Sequence, residues 1–281
     1  MNNWSDGSIT DNGFKLHYYR TGGDKPPLVI NHGAGDDGLC WTHIANELET
    51  DYDVILPDAR GHGKSSSGRG DYSTPTRVKD LADLIQSLGI KHPLIGGHSM
   101  GADTCLHYAA AFPDQVRGVF LEDPPIIMPG ETFDLGRWPI KAENAGRLMA
   151  GMMLVFKIAP KFIGIRLARK MFPTYPDDEI IPWFNSKGRV SLNFLNTLPG
   201  MAFDHGQPFD AFKKVDAPIL LFTGDRKKMA IVSQAAAQEA VNANPKVEVV
   251  HLAGASHDIR RTRFDGYISN LRAFLSKNYP P

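Results

Sequence analysis

The amino-acid sequence predicts an α/β protein, a mostly parallel central sheet covered on both faces by helices, and three observations carry that reading. Short uninterrupted apolar runs recur along the chain, of the kind that strands buried on both faces show. Segments of helical spacing alternate with them, and such alternation winds into parallel sheet. A length of 281 residues with 42% hydrophobic side chains supplies a substantial core.

The chain opens with antiparallel strands: Ile9-Thr10 and Phe14–Tyr19 flank Asp11-Asn12-Gly13, whose Asn-Gly pair is a strong hairpin-turn signal. After the Gly22-Gly23-Asp24-Lys25-Pro26 break, Leu28–Ile30 is the first fully apolar strand. Tyr52–Leu56, His92–Ile95, Val116–Leu121, Ile219–Phe222 and Val247–Leu252 are the others. Helices are expected over Thr42–Leu48, Arg77–Leu88, Ala102–Phe112, Ser233–Ala243 and Phe264–Ser276. In the second of these, Val78, Leu81, Ala82, Ile85 and Leu88 keep the helical period and mark a core-facing stripe.

One stretch breaks the alternation. From about Ile126 to His205 no strand is evident, and Pro, Met, Trp and Phe are abundant. An insertion of this length between core strands reads as a helical lid over the carboxyl edge of the sheet, where the sites of open α/β sheets lie. The division is then a core of residues 1–125 and 207–281 and a lid of residues 126–206. Trp138, Met152, Met153 and Trp183 are its expected substrate-binding residues, lining an apolar, adaptable pocket. The same side chains equally suit the private core of a small helical subdomain.

The stretch Pro93–Ala102 organises the rest. An apolar run leads into Gly97-His98-Ser99-Met100-Gly101 and a helical segment leads out, so Ser99 is expected on a tight strand-to-helix turn with its hydroxyl held off the backbone. His32-Gly33-Ala34 directly follows the strand Leu28–Ile30, and the amides of Ala34 and Met100 are the candidate oxyanion donors. Gly254-Ala255-Ser256-His257 follows the last apolar run, which places His257 at the same sheet edge as a candidate general base and acid.

In sequence order these motifs, with Asp58-Ala59-Arg60-Gly61-His62-Gly63-Lys64-Ser65 in the place of a D-x-R-G-x-G-x-S stretch, resemble the α/β-hydrolase superfamily. The resemblance spans nearly the full length, is weakest in the lid, and implies an α/β-hydrolase fold with the lid inserted after the sixth strand. It also implies a third triad member. In most of the superfamily that acid follows the seventh strand, three residues beyond a glycine; in Thr223-Gly224-Asp225-Arg226-Lys227-Lys228 that position holds Lys227, and the carboxylate comes two residues early. Haloalkane dehalogenases and zearalenone-type lactonases carry the acid after the sixth strand, and their pattern laid on Val116–Pro125 puts it on Asp123. The resemblance favours Asp123, with Asp225 as the alternative acid.

Other chemistries fit less well. Gly33-Ala34-Gly35-Asp36-Asp37-Gly38 matches G-x-G-x-x-G and has Asp58 about 20 residues on, yet Asp36 and Asp37 would set two negative charges against a pyrophosphate. No metal-binding pattern occurs, so neither cofactor nor metal is expected. Zero net charge points to neither nucleic acid nor an anionic membrane surface as partner. Two cysteines, Cys40 and Cys105, make no disulfide framework, and the first residues lack a secretion signal, so a cytoplasmic location is expected. The resemblance implies a serine hydrolase cleaving a carboxylic ester or lactone of a largely apolar small molecule through an acyl-serine. Carbon–carbon bond hydrolases, perhydrolases and slow-turnover ligand receptors share the scaffold and stay open as alternatives.

Overall fold

The computed structural model describes residues 4–11, 13–68, 70–131, 133–134, 139–140, 142–200 and 209–281. The expected hairpin forms from β1 (Ser5–Asp11) and β2 (Phe14–Arg20), and β2 joins β4 (Asp53–Pro57) antiparallel. Every other pairing in the sheet is parallel, through β3 (Pro27–Asn31), β5 (Leu94–His98), β6 (Gly118–Glu122), β9 (Ile219–Thr223) and β10 (Val247–His251). The order across the sheet is β1-β2-β4-β3-β5-β6-β9-β10. The chain therefore steps one way from β3 to β4 and the other way to β5, which makes the carboxyl ends of β3 and β5 the topological switch point.

Alternate residues of each strand feed opposite faces, as the two-residue period requires. Val29, Ile55, Ile95, Val119 and Leu221 pack with α2 (Thr74–Ser87), α3 (Met100–Ala111) and α9 (Gln234–Ala243). Leu28, Ile30, Leu56, Phe120 and Phe222 pack on the other side with α1 (Thr42–Leu48) and α11 (Phe264–Asn278). Two buried clusters, one per face, explain why the strand sequences are apolar throughout.

Between β6 and β9 lie α4 (Ala142–Ile158), α5 (Lys161–Met171), α6 (Asp177–Arg189) and α7 (Leu192–Leu195). A two-stranded ribbon, β7 (Phe133–Asp134) with β8 (Pro139–Ile140), also forms where no strand was expected. Two residues per strand are too few to leave a readable alternation. Phe156, Ala168, Ile180, Trp183 and Phe184 form a core private to these helices, while Met153, Phe194 and Leu198 pack with Tyr72 and Met100 of the main body. The remaining short helices are α8 (Asp210–Lys213) and α10 (Ile259–Thr262), the latter directly after His257.

Candidate active site

Ser99 sits between β5 and α3 with φ 50° and ψ −115°, the positive φ that the sharp turn demands. The turn is pinned at both ends: the Ser99 amide donates to the Glu122 carbonyl at 2.9 Å, and its carbonyl accepts from the Asp103 amide at 3.0 Å. Close packing against β3 makes this possible, since a Cβ on Gly101 would stand 2.3 Å from the Asn31 carbonyl oxygen. Asp123 also has a positive φ, 44°, at the end of the neighbouring strand β6. Such conformations cost about 1–3 kcal/mol each and persist where the surroundings over-determine them.

His257 Nδ1 lies 2.6 Å from Asp123 Oδ2. The carboxylate is fully buried, and its two oxygens also accept the amides of Ile231 at 2.7 Å and Val232 at 2.9 Å, which fixes its plane. Burial pulls the His257 pKa down, but the Asp123 hydrogen bond and charge overcome it and hold the imidazole above the ordinary histidine value. Asp225 is placed elsewhere. It accepts from the Gly254 amide at 2.8 Å and contacts His251 Nε2 at 3.1 Å, holding the β10 loop rather than His257.

The loop after β3 is shaped by two histidines. His32 Nε2 accepts the Ala59 amide at 2.9 Å and His62 Nε2 accepts the Gly35 amide at 3.0 Å. Burial pushes the His62 pKa down to about 3, so its ring stays an acceptor there. Among the described residues the amides of Ala34 and Met100 have no hydrogen-bond partner, and both residues line the cavity that holds Ser99 and His257. That cavity measures about 840 Å³. Met152, Met153 and Trp183 line it from the helices between β6 and β9, together with Leu148, Met149, Met171 and Phe172. Trp138 lies outside the described residues.

A buried ionic network under the cavity was not foreseen. Asp36, at the end of the same loop, pairs with Lys187 at 2.7 Å and Arg261 at 2.9 Å. Arg261 continues to Glu179 at 3.0 Å and Asp258 at 2.5 Å, and Arg260 pairs with Glu122 at 2.9 Å. Burial alone would raise the Asp36 pKa, yet Arg261, Lys187 and Arg260 together hold it well below the carboxylate range. One signal was present in the sequence: Ile180, Trp183, Phe184 and Lys187 follow the buried-stripe spacing, which puts an ammonium on a core face. Asp36, His98 and Asp258 bring three potential ligand atoms within 4.8 Å of one another. Both carboxylates are already taken by Arg and Lys cations, so the cluster is an ion-pair network with no seat for a metal.

His98 is placed to join the two halves of this constellation. Its Nε2 lies 3.1 Å from the His257 carbonyl oxygen, and the rings of the two histidines are 4.5 Å apart. Burial, then the positive charge of His257, drives its pKa well below the histidine value, so it donates from Nε2 as a neutral ring.

A switch-point turn carrying a serine, on the same cavity as a carboxylate-held histidine and beside a helical insertion, is the arrangement of α/β-hydrolases. The family model for the alpha/beta hydrolase fold matches residues 26–259, and the chain belongs to that family. It is 25% identical over 279 residues to an N-formylmaleamate deformylase of Pseudomonas putida, with 96% of each chain covered. It is 29% identical over 245 residues to a 2-(acetamidomethylene)succinate hydrolase of Mesorhizobium japonicum, covering 85% of this chain and 84% of that one. Among solved structures, an N-formylmaleamic acid deformylase from Pseudomonas putida S16 matches in fold with a TM-score of 0.78 at 21% identity, over 95% of this chain and 100% of that one. By name these relatives are two deformylases and a hydrolase.

Proposed function

We propose that the chain is a serine hydrolase cleaving a carboxylic ester or lactone of a largely apolar substrate. Ser99 Oγ attacks the acyl carbon as His257 takes its proton, and the amides of Ala34 and Met100 receive the oxyanion. Collapse expels the alkoxide, which leaves as the alcohol with the proton from His257. Water, deprotonated by His257, then attacks the acyl-serine and releases the acid. Asp123 holds His257 in the tautomer whose free nitrogen faces the nucleophile and stabilises the imidazolium.

The observation that carries this reading is the 2.6 Å contact between His257 and Asp123 at a cavity that Ser99 also lines. An apolar substrate is supported by the Met-rich lining and by the pairing of two of the three wall cations: Arg77 with Asp103 and Lys187 with Asp36, at 2.8 and 2.7 Å, the third being the exposed Lys228. A second reading, hydrolysis of an N-acyl bond, is favoured by the names of two of the relatives that match along most of their length.

Labelling with a fluorophosphonate probe, followed by turnover of ester, lactone and N-acyl amide series, tests both readings. Wild type is expected to label and to turn over neutral esters or lactones fastest. Ser99→Ala should not label and should lose on the order of a million-fold in kcat if the three side chains act as a unit. Undiminished ester cleavage by that variant would remove Ser99 from the chemistry, and a preference for N-acyl amides would select the second reading.

A further inference from the structure

The outer end of the lid exposes apolar side chains that the site does not use. Leu154, Val155 and Ile158 close α4, and Phe162 and Ile163 open α5 three residues later. Ile158 is 73% exposed and Phe162 76%, against a core in which side chains of the same types are fully buried. Five large apolar side chains exposed within ten residues of chain are exposure of the kind that marks an interaction surface. On the same two helices Leu148 and Met171, both half exposed, line the cavity wall.

The charge around this patch is one-sided. Between Asn144 and Pro176 the chain carries Arg147, Lys157, Lys161, Arg166, Arg169 and Lys170 and no acidic residue, although its net charge is zero. Lys157 is held by the carbonyls of Gly188 and Val190, and Arg169 pairs with Asp177 at 3.0 Å. Lys161, Arg166 and Lys170 are exposed and have no ion-pair partner among the described residues. Large apolar side chains at a helix–turn–helix tip, ringed by Lys and Arg whose aliphatic stems reach past them, match the interface of a negatively charged bilayer.

We propose that the α4–α5 end of the lid is a docking surface for an anionic lipid bilayer. Ile158 and Phe162 enter the boundary between headgroups and acyl chains, and Lys161, Arg166 and Lys170 lie against the headgroups. A second copy of the chain fits less well, because a two-fold contact through this face sets the same cations against one another. The surface stands on exposure and charge alone and does not depend on the hydrolase reading.

The test is co-sedimentation of the full chain with sucrose-loaded vesicles of phosphatidylcholine alone or with about a third phosphatidylglycerol, at about 0.1 M and then about 0.5 M salt. Wild type is expected to partition to the anionic vesicles at least about ten-fold more strongly than to the neutral ones, and to be released by salt. Ile158→Asp with Phe162→Asp, and separately Lys161→Glu with Arg166→Glu and Lys170→Glu, should each lose at least about ten-fold in partitioning. Both variants should keep the wild-type circular dichroism and melting profile, since these side chains support no buried contact. Failure of wild type to sediment with anionic vesicles, or equal partitioning of either variant, overturns the proposal. So does a dimer in sedimentation velocity that Ile158→Asp with Phe162→Asp dissolves, which would assign the face to self-association.

Discussion

Asp123 and Asp225 stand at the carboxyl ends of adjacent strands, and the difference between them is one of orientation. Asp123 turns toward His257 through a positive φ and is gripped by two backbone amides, whereas Asp225 spends its oxygens on Gly254 and His251. In Asp123→Asn the hydrogen bond and charge that raise the His257 pKa are gone, and the amide favours the wrong tautomer. Because catalysis needs neutral His257, activity in wild type falls as pH drops through its raised pKa. Asp123→Asn is expected to lose about 10⁴-fold in kcat and to move that acid limb to lower pH, while Asp225→Asn keeps both. Measuring kcat against pH for the three proteins decides it; an unmoved limb in Asp123→Asn would detach the acid from His257. Ser99 and His257 stand out in the sequence because each sits in a short local motif, and the structure brings both to one cavity. The acid was legible only as a choice, since a strand-end aspartate has the same neighbours in sequence whichever way its backbone turns.

At the scale of elements, the strands and main helices were readable from periodicity, and the helical insertion between β6 and β9 was readable as an interruption of it. Its attachment was not. Helix α6 meets the loop after β3 through Lys187–Asp36 and Arg189–Asp37, and meets α10 through Glu179–Arg261. These partners are separated by scores of residues, and pairing at such distance leaves no local pattern. In the sequence Asp36 and Asp37 counted only as charges set against a pyrophosphate, whereas both are buried and paired with α6. The consequence is a lid whose inner helix is clamped while its outer end, α4 and α5, bears the exposed patch. Arg261 is the hub, fully buried among Asp36, Glu179 and Asp258. Arg261→Met leaves those three carboxylates with too little positive charge, and removing one partner from a buried pair costs about 3–5 kcal/mol. Urea unfolding should show a loss of that size, and a change under about 1 kcal/mol would mean that the network contributes no net clamp.

Across the whole molecule, summed quantities hid what their distribution reveals. A net charge of zero excluded an anionic partner only on average, because the six cations of the outer lid are offset by acids elsewhere. Histidines hide a similar asymmetry, and it governs how the fold responds to acid. His62 and His98 are buried and neutral, with pKa values pushed down, to about 3 for His62. In the unfolded chain each takes up a proton near pH 6.5, so below that pH the unfolded state binds more protons and stability must fall as pH falls. The two together give a slope of roughly 2–3 kcal/mol per pH unit around pH 5. His257 is shifted the other way: its contribution is fully present below about pH 6.5 and is lost as pH rises through its folded pKa, so it adds no slope in the acid window. Asp36, held ionised by its cations, contributes stability that is lost only lower, once the pH falls toward its depressed folded value. Urea midpoints at pH 7, 6 and 5 should therefore decline steadily, with His62→Gln removing about half of the slope while keeping an acceptor for the Gly35 amide. A midpoint that is flat or rises over this range would mean that these rings are protonated in the folded chain, and the loop after β3 would then lose the acceptor that shapes it.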